Sequence, residues 1–183
     1  FIENGGRMYL TDSGMLSVSG SFWNKGTFSS AAKGGVALTG PAEATVSGRS
    51  TFANFSCTEP GKTIRFATGE DNLFGIAASG SLTLRGAAGN LLALRGTTAG
   101  SAWKMNVGSA AVADLEYLDV EWSDASEGEM VAAKKSLGGA PEKHNEGWKF
   151  PREPIPGETN TWLGVAASWQ NPANWSLDRL PVA

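Results

Sequence analysis

The chain has 183 residues, a formal charge of −3 at pH 7, 41% hydrophobic and 18% charged residues; this suits one ordinary core or one elongated domain and excludes disorder over most of its length. Its glycine content, 24 residues, lies well above the roughly 7% of average usage but follows no triplet period, which excludes collagen. The pI near 5.2 and the singly scattered Lys and Arg leave no basic stripe for phosphate, so no nucleic-acid partner is expected.

Cys57 is the single cysteine, so neither an intrachain disulfide nor a thiolate metal site can form, and its simplest place is a small buried position. His144 is likewise alone, and a Ser/His/Asp or Cys/His relay would rest on this one residue in a polar stretch. No apolar run is long enough to span a membrane. The chain starts Phe1-Ile2-Glu3-Asn4-Gly5-Gly6 and stops at Pro181-Val182-Ala183, and both ends are expected to be cuts within a longer polypeptide.

From Arg7 onward, glycines at 14, 20, 26, 34, 40 and 48 separate short runs in which apolar residues alternate. Met8 and Leu10, Leu16 and Val18, Val36 and Leu38, Ala44 and Val46, Ile64 and Phe66, Leu82 and Leu84, and Leu92 and Leu94 are each i, i+2 pairs, the pattern of a strand with one buried face. Helical spacing does not persist for more than a turn before Asp124, so the expected class is all-β. Strands of about four to six residues with glycine corners suit a parallel β-helix, or solenoid, whose coil takes roughly 20 to 25 residues. Six such coils between Arg7 and Lys135 would form a rod of about 30 Å. An antiparallel β-sandwich is the alternative.

The stretch Ala113–Trp122 reads as the clearest strand, with Leu118, Val120 and Trp122 on one face, Asp119 and Glu121 on the other, and a bulge near Tyr117-Leu118 where the phase changes. Beyond Lys135 the composition shifts. Pro151, Pro154 and Pro156 mark an extended linker over 151–160, and a Trp-rich segment follows over 161–183.

Gly14-Met15-Leu16-Ser17-Val18-Ser19-Gly20-Ser21-Phe22-Trp23-Asn24-Lys25-Gly26-Thr27-Phe28, then Gly35-Val36-Ala37-Leu38-Thr39-Gly40 and Ala44-Thr45-Val46-Ser47-Gly48-Arg49-Ser50-Thr51-Phe52-Ala53-Asn54-Phe55, resemble a tandem module of large secreted bacterial repeat proteins in the style of adhesins and autotransporter passenger domains. The similarity runs through Lys62–Phe66, Gly80–Leu84, Gly100–Val107 and Tyr117–Val120 to Gly147-Trp148-Lys149-Phe150, covering about residues 8–150. Thr161-Trp162-Leu163-Gly164, Ser168-Trp169 and Pro172-Ala173-Asn174-Trp175-Ser176 resemble the opening of a following repeat. Trp23, Phe55-Ser56-Cys57 and the charged corner after Gly69 depart from the pattern. The resemblance implies a right-handed parallel β-helix on an extracellular or cell-surface protein.

Candidate sites are few. Asp119, Glu121 and Asp124 form the best acidic group; carboxylates two apart on a strand face sit about 7 Å from each other and could hold a cation if a loop added oxygens, but a solvated face is the simpler reading. Gly86-Ala87-Ala88-Gly89 and Gly96-Thr97-Thr98-Ala99-Gly100 lack the Gly-Lys-Ser/Thr ending and following helix of a phosphate loop, and read as corners. Trp162, Trp169, Asn174 and Trp175 are the assembly candidates, since the open end of a stack exposes unpaired backbone that a strand can complete. The same Trp162, Trp169 and Trp175 could instead stack on sugar rings. The expected function is a structural, non-enzymatic repeat of an extracellular bacterial fibre or surface protein that associates with itself head-to-tail, with no cofactor. A carbohydrate-binding adhesin module with a cell-surface or matrix polysaccharide as partner is the alternative, and a polysaccharide lyase ranks last.

Overall fold

The structure is a computed structural model, describing residues 1–31 and 33–151. It is all-β. Among the described residues sixteen strands follow one another: β1 (Arg7–Leu10), β2 (Met15–Val18), β3 (Phe22–Trp23), β4 (Thr27–Ser30), β5 (Gly35–Leu38), β6 (Ala44–Ser47), β7 (Arg49–Cys57), β8 (Thr63–Phe66), β9 (Leu73–Arg85), β10 (Leu92–Gly96), β11 (Trp103–Val107), β12 (Val112–Glu116), β13 (Leu118–Val120), β14 (Ser123–Asp124), β15 (Val131–Lys134) and β16 (Trp148–Lys149). The single helical element among the described residues is a 3-10 turn over Pro141–Lys143.

Every ladder between these strands is parallel, which is not the antiparallel pairing of the alternative sandwich. One sheet runs β16-β15-β12-β9-β7-β5-β2, another β13-β10-β8-β6-β3, while β1 pairs with β4 and β11 joins β9 to β14. The chain thus visits its ladders in a recurring order: β1, β2 and β3 are followed by their partners β4, β5 and β6. The long strands β7 and β9 serve two ladder positions each, Arg49–Phe52 lying against Leu73–Ile76 and Asn54–Cys57 against Ser81–Leu84. Neighbouring strands are about 20 to 30 residues apart in sequence, as Met15 opposite Gly35 and Phe74 opposite Met105 illustrate. The steps from Ile64 to Leu94 and from Phe74 to Met105 run through the loop between β9 and β10, and the second also through that between β10 and β11. In the first of these loops, Ala87 and Asn90 exchange backbone hydrogen bonds of 2.9 Å around Gly89, forming a tight turn.

The alternating pairs fall as expected, with one face in. Val18, Leu38, Cys57, Leu84, Leu115 and Ala133 occupy matching positions of successive strands, as do Ala44, Ile64, Leu94 and Val120. From Leu38 and Ala44 inward these residues are buried, and each large aliphatic removed from water contributes about 1.5–3 kcal/mol. Aromatic rings fill the remaining width: Phe55 meets Phe74 edge-on at 4.7 Å, and Phe66 stacks on the fully buried Trp103 at 4.1 Å.

Corners require special backbone. Gly48 has φ +85° and its Cβ would lie 1.7 Å from the Asn24 carbonyl oxygen, so only glycine fits there. Asn24, itself buried, accepts from Gly26 N–H at 3.0 Å and donates to the Arg49 carbonyl at 3.0 Å and Ser50 Oγ at 2.9 Å, tying consecutive passes of the chain together.

The expected single strand over Ala113–Trp122 is corrected. Tyr117 adopts φ +54°, ending β12 in one sheet and launching β13 in another. The phase change marks a corner where the chain changes sheet, not a bulge within one sheet. Trp122, expected to share the buried face of Leu118 and Val120, sits instead at the next corner with φ +53° and is half-buried.

Candidate functional site

Asp119 points outward from β13, and Glu121 follows it on the same face. Parallel pairing places Ala93 opposite Asp119 and Arg95 opposite Arg65, so the outer face carries two neighbouring guanidinium groups whose repulsion needs neutralising. Glu43 takes Arg65 Nε at 2.9 Å. Arg95 binds Asp119 Oδ2 through one terminal nitrogen and Glu121 Oε2 through Nε at 3.4 Å. Lys143, from the 3-10 turn, binds Asp119 Oδ1 at 3.1 Å and Glu121 Oε1 at 2.5 Å.

All four carboxylate oxygens of Asp119 and Glu121 are therefore held by cationic nitrogens. The bond from Glu121 raises the Lys143 pKa above the ordinary lysine value, against the cost of partial burial and with Asp119 adding to the rise. A metal cation entering here would have to displace two resident positive charges, and among the described residues no group of three or more His, Cys, Asp and Glu could hold one. The pair is neither the open cation site nor the purely solvated face considered from sequence. It is a four-member ion-pair network that stitches β10, β13 and the Pro141–Lys143 turn. Arg95 and Lys143, absent from the sequence reasoning, are 24 to 26 and 22 to 24 residues away from their partners, and no local spacing signals them.

Asp124 lies outside this network. The Ser126 hydroxyl donates to its Oδ1 at 2.6 Å and the Ser126 N–H at 3.0 Å, and these bonds lower the Asp124 pKa below the usual carboxylate value. His144 packs against an aromatic ring. Its ring stacks on Trp122 with centroids 4.0 Å apart and planes 28° apart, while the Ser123 hydroxyl accepts from Trp148 Nε1 at 3.0 Å. Cys57 occupies its inner row, and burial raises its thiol pKa, which disfavours the reactive thiolate form.

Around the Trp122–His144 pair lies a hollow of about 430 Å³, walled by Trp148 and Phe150 and by Asp124 and Glu146. A second hollow of about 260 Å³, bordered by Arg65, Arg95 and Thr98, shares Trp122 as its wall. Asn145 braces the larger one, accepting from Ser123 N–H at 2.9 Å and donating to the Val120 and Gly138 carbonyls at 2.8 and 2.9 Å. Sequence reasoning missed this groove because Trp122 fits the alternation of β13. The one local sign is that the phase of that alternation has already shifted once, at Tyr117.

The candidates Trp162, Trp169, Asn174 and Trp175, with the linker at 151–160 beyond Pro151, lie outside the described residues. No described helix is long and apolar enough to cross a membrane. In comparisons with known proteins, the chain matches no family model, no curated protein and no solved structure.

Proposed function

We propose that the chain is a structural, non-enzymatic repeat of an extracellular bacterial fibre or cell-surface protein. Its parallel ladders would wind as a right-handed β-helix that continues head-to-tail into further copies, through tandem repeats or by strand donation from the Trp-rich segment 161–183. The observation that supports this reading most is the pairing order. Ladders revisited in the same sequence leave β1 and β2 as edges at one end and β16 at the other, each with backbone groups open to a further parallel strand, while Ile2 already covers the outer side of β3.

The first edge also carries apolar material. Met8, Leu10, Leu16 and Val18 lean on the core yet are only partly buried, as terminal residues of an unfinished stack would be. Sedimentation velocity over a range of concentrations, with electron microscopy of the same samples, tests strand donation. The chain should form linear assemblies, and a chain lacking residues 157–183 should not. Assemblies of unchanged length after that deletion would sink strand donation.

A further inference from the structure

The groove at Trp122 carries an inference independent of the assembly reading. Its walls combine aromatic surface with carboxylates. Trp122 and Trp148 are half-buried and both line the hollow; Trp122 has one ring face stacked on His144, and among the described residues no hydrogen bond holds its indole N–H. Trp148 is fixed by its bond to Ser123 at 3.0 Å and by the parallel stack with Phe150, planes 10° apart. The ring positions are thus set before any ligand arrives, which lowers the ordering cost of binding.

Asp124 has one oxygen engaged by Ser126, and Glu146 is exposed and, among the described residues, in no ion pair. Their backbones are neighbours through the Asp124–Glu146 bridge. No Lys or Arg lines this hollow. Flat apolar rings beside carboxylate acceptors match a pyranose, which offers an apolar C–H face and a rim of hydroxyl donors. The two acidic groups repel an anionic sugar. The second hollow, which shares Trp122 and whose Arg65 and Arg95 are already paired with Glu43, Asp119 and Glu121, leaves room for a ligand longer than one ring.

We propose that the groove across Trp122 binds a neutral oligosaccharide, one ring lying against Trp122 and Trp148 and its hydroxyls donating to Asp124 and Glu146. The test uses the full chain with cello-, chito- and malto-oligosaccharides of about four to six units, a length chosen to span both hollows, followed by calorimetry and tryptophan fluorescence. At least one neutral series should bind. Trp122→Ala should weaken it by about tenfold or more, as loss of an aromatic platform requires, and the charge-removing pair Asp124→Asn/Glu146→Gln should weaken it as well. Circular dichroism checks folding; if Trp122→Ala unfolds the chain, the isosteric carboxylate pair decides.

Three results overturn the proposal. One is no binding of any neutral series. Another is binding that withstands Trp122→Ala and the carboxylate pair but is lost in Trp162→Ala/Trp169→Ala/Trp175→Ala, which places the sugar on the tail. The third is tetramethylammonium binding with the sugars silent, which makes the groove an organic-cation site.

Discussion

Lys62 carries its charged end inside the molecule. It is 1% exposed, and its ammonium donates to the carbonyls of Thr39 at 3.4 Å, Gly40 at 2.8 Å and Ala42 at a shorter distance. Three donors meet three acceptors, so one side chain satisfies the backbone of a corner that no strand reaches. Removing the donor takes a charged partner from the half-buried Thr39 and Gly40 carbonyls, while exposed Ala42 keeps access to water. Lys62→Met should therefore lower stability by about 1–2 kcal/mol, measured by denaturant unfolding, although methionine matches the volume and suits an apolar site. A change within experimental error would show that water replaces the ammonium. At the same scale, Trp103 spans the interior from its stack on Phe66 to the Glu121 carbonyl, which accepts its indole N–H at 3.0 Å. Its ring fills the core while its one polar atom remains paired. These roles were only partly legible in the sequence. The alternation marks Ile64 and Phe66 as inward, but nothing local distinguishes buried Lys62 from the exposed lysines, because its acceptors belong to the preceding pass of the chain.

Elements meet through side chains on their outer faces as well as through the ladders. Arg95 of β10, Asp119 of β13 and Lys143 of the 3-10 turn form one network with Glu121, so three elements distant in sequence share their charges. The raised pKa of Lys143 gives this network a pH signature with a definite sign. Protonated Lys143 is favoured in the folded state, so its contribution is fully present below the ordinary lysine pKa of about 10.4 and is lost as pH rises through the higher folded value. Glu121→Gln removes the strongest cause of the rise. It should shift the alkaline loss of stability to lower pH while leaving the core intact, as followed by thermal melts between about pH 8 and 11, a window set around the ordinary lysine value. An alkaline limb identical to that of the parent would show that Lys143 does not couple to folding. Because the side chains are partly solvated, the effect is modest and screened by salt.

Across the described residues, stability is distributed by position in the sheets. Interior strands such as β8 and β10 have a parallel partner on each side, whereas β1, β2 and β16 have one. Repetitive architectures gain stability from nearest-neighbour interfaces, and local opening starts where an interface is missing. Hydrogen exchange should therefore be slowest at Ile64, Leu84 and Leu94 and fastest along Arg7–Leu10 and Trp148–Lys149. Uniform protection from end to end would indicate that the edges are covered in solution, as head-to-tail association would produce.

The all-β class, the inward rows and the apolar pairs from Met8 to Leu94 could be read directly because strand alternation has a period of two and declares itself within four residues. The sheet that each strand joins, and the side chains it meets there, are set by the length of the intervening loops. Loops such as Gly86–Leu92 and Gly96–Gly100 change that length without altering the alternation beside them. For that reason tertiary structure alone brought Arg95 and Lys143 to Asp119 and Glu121, turned Trp122 out of its strand and against His144, and closed Trp148 and Phe150 around the groove.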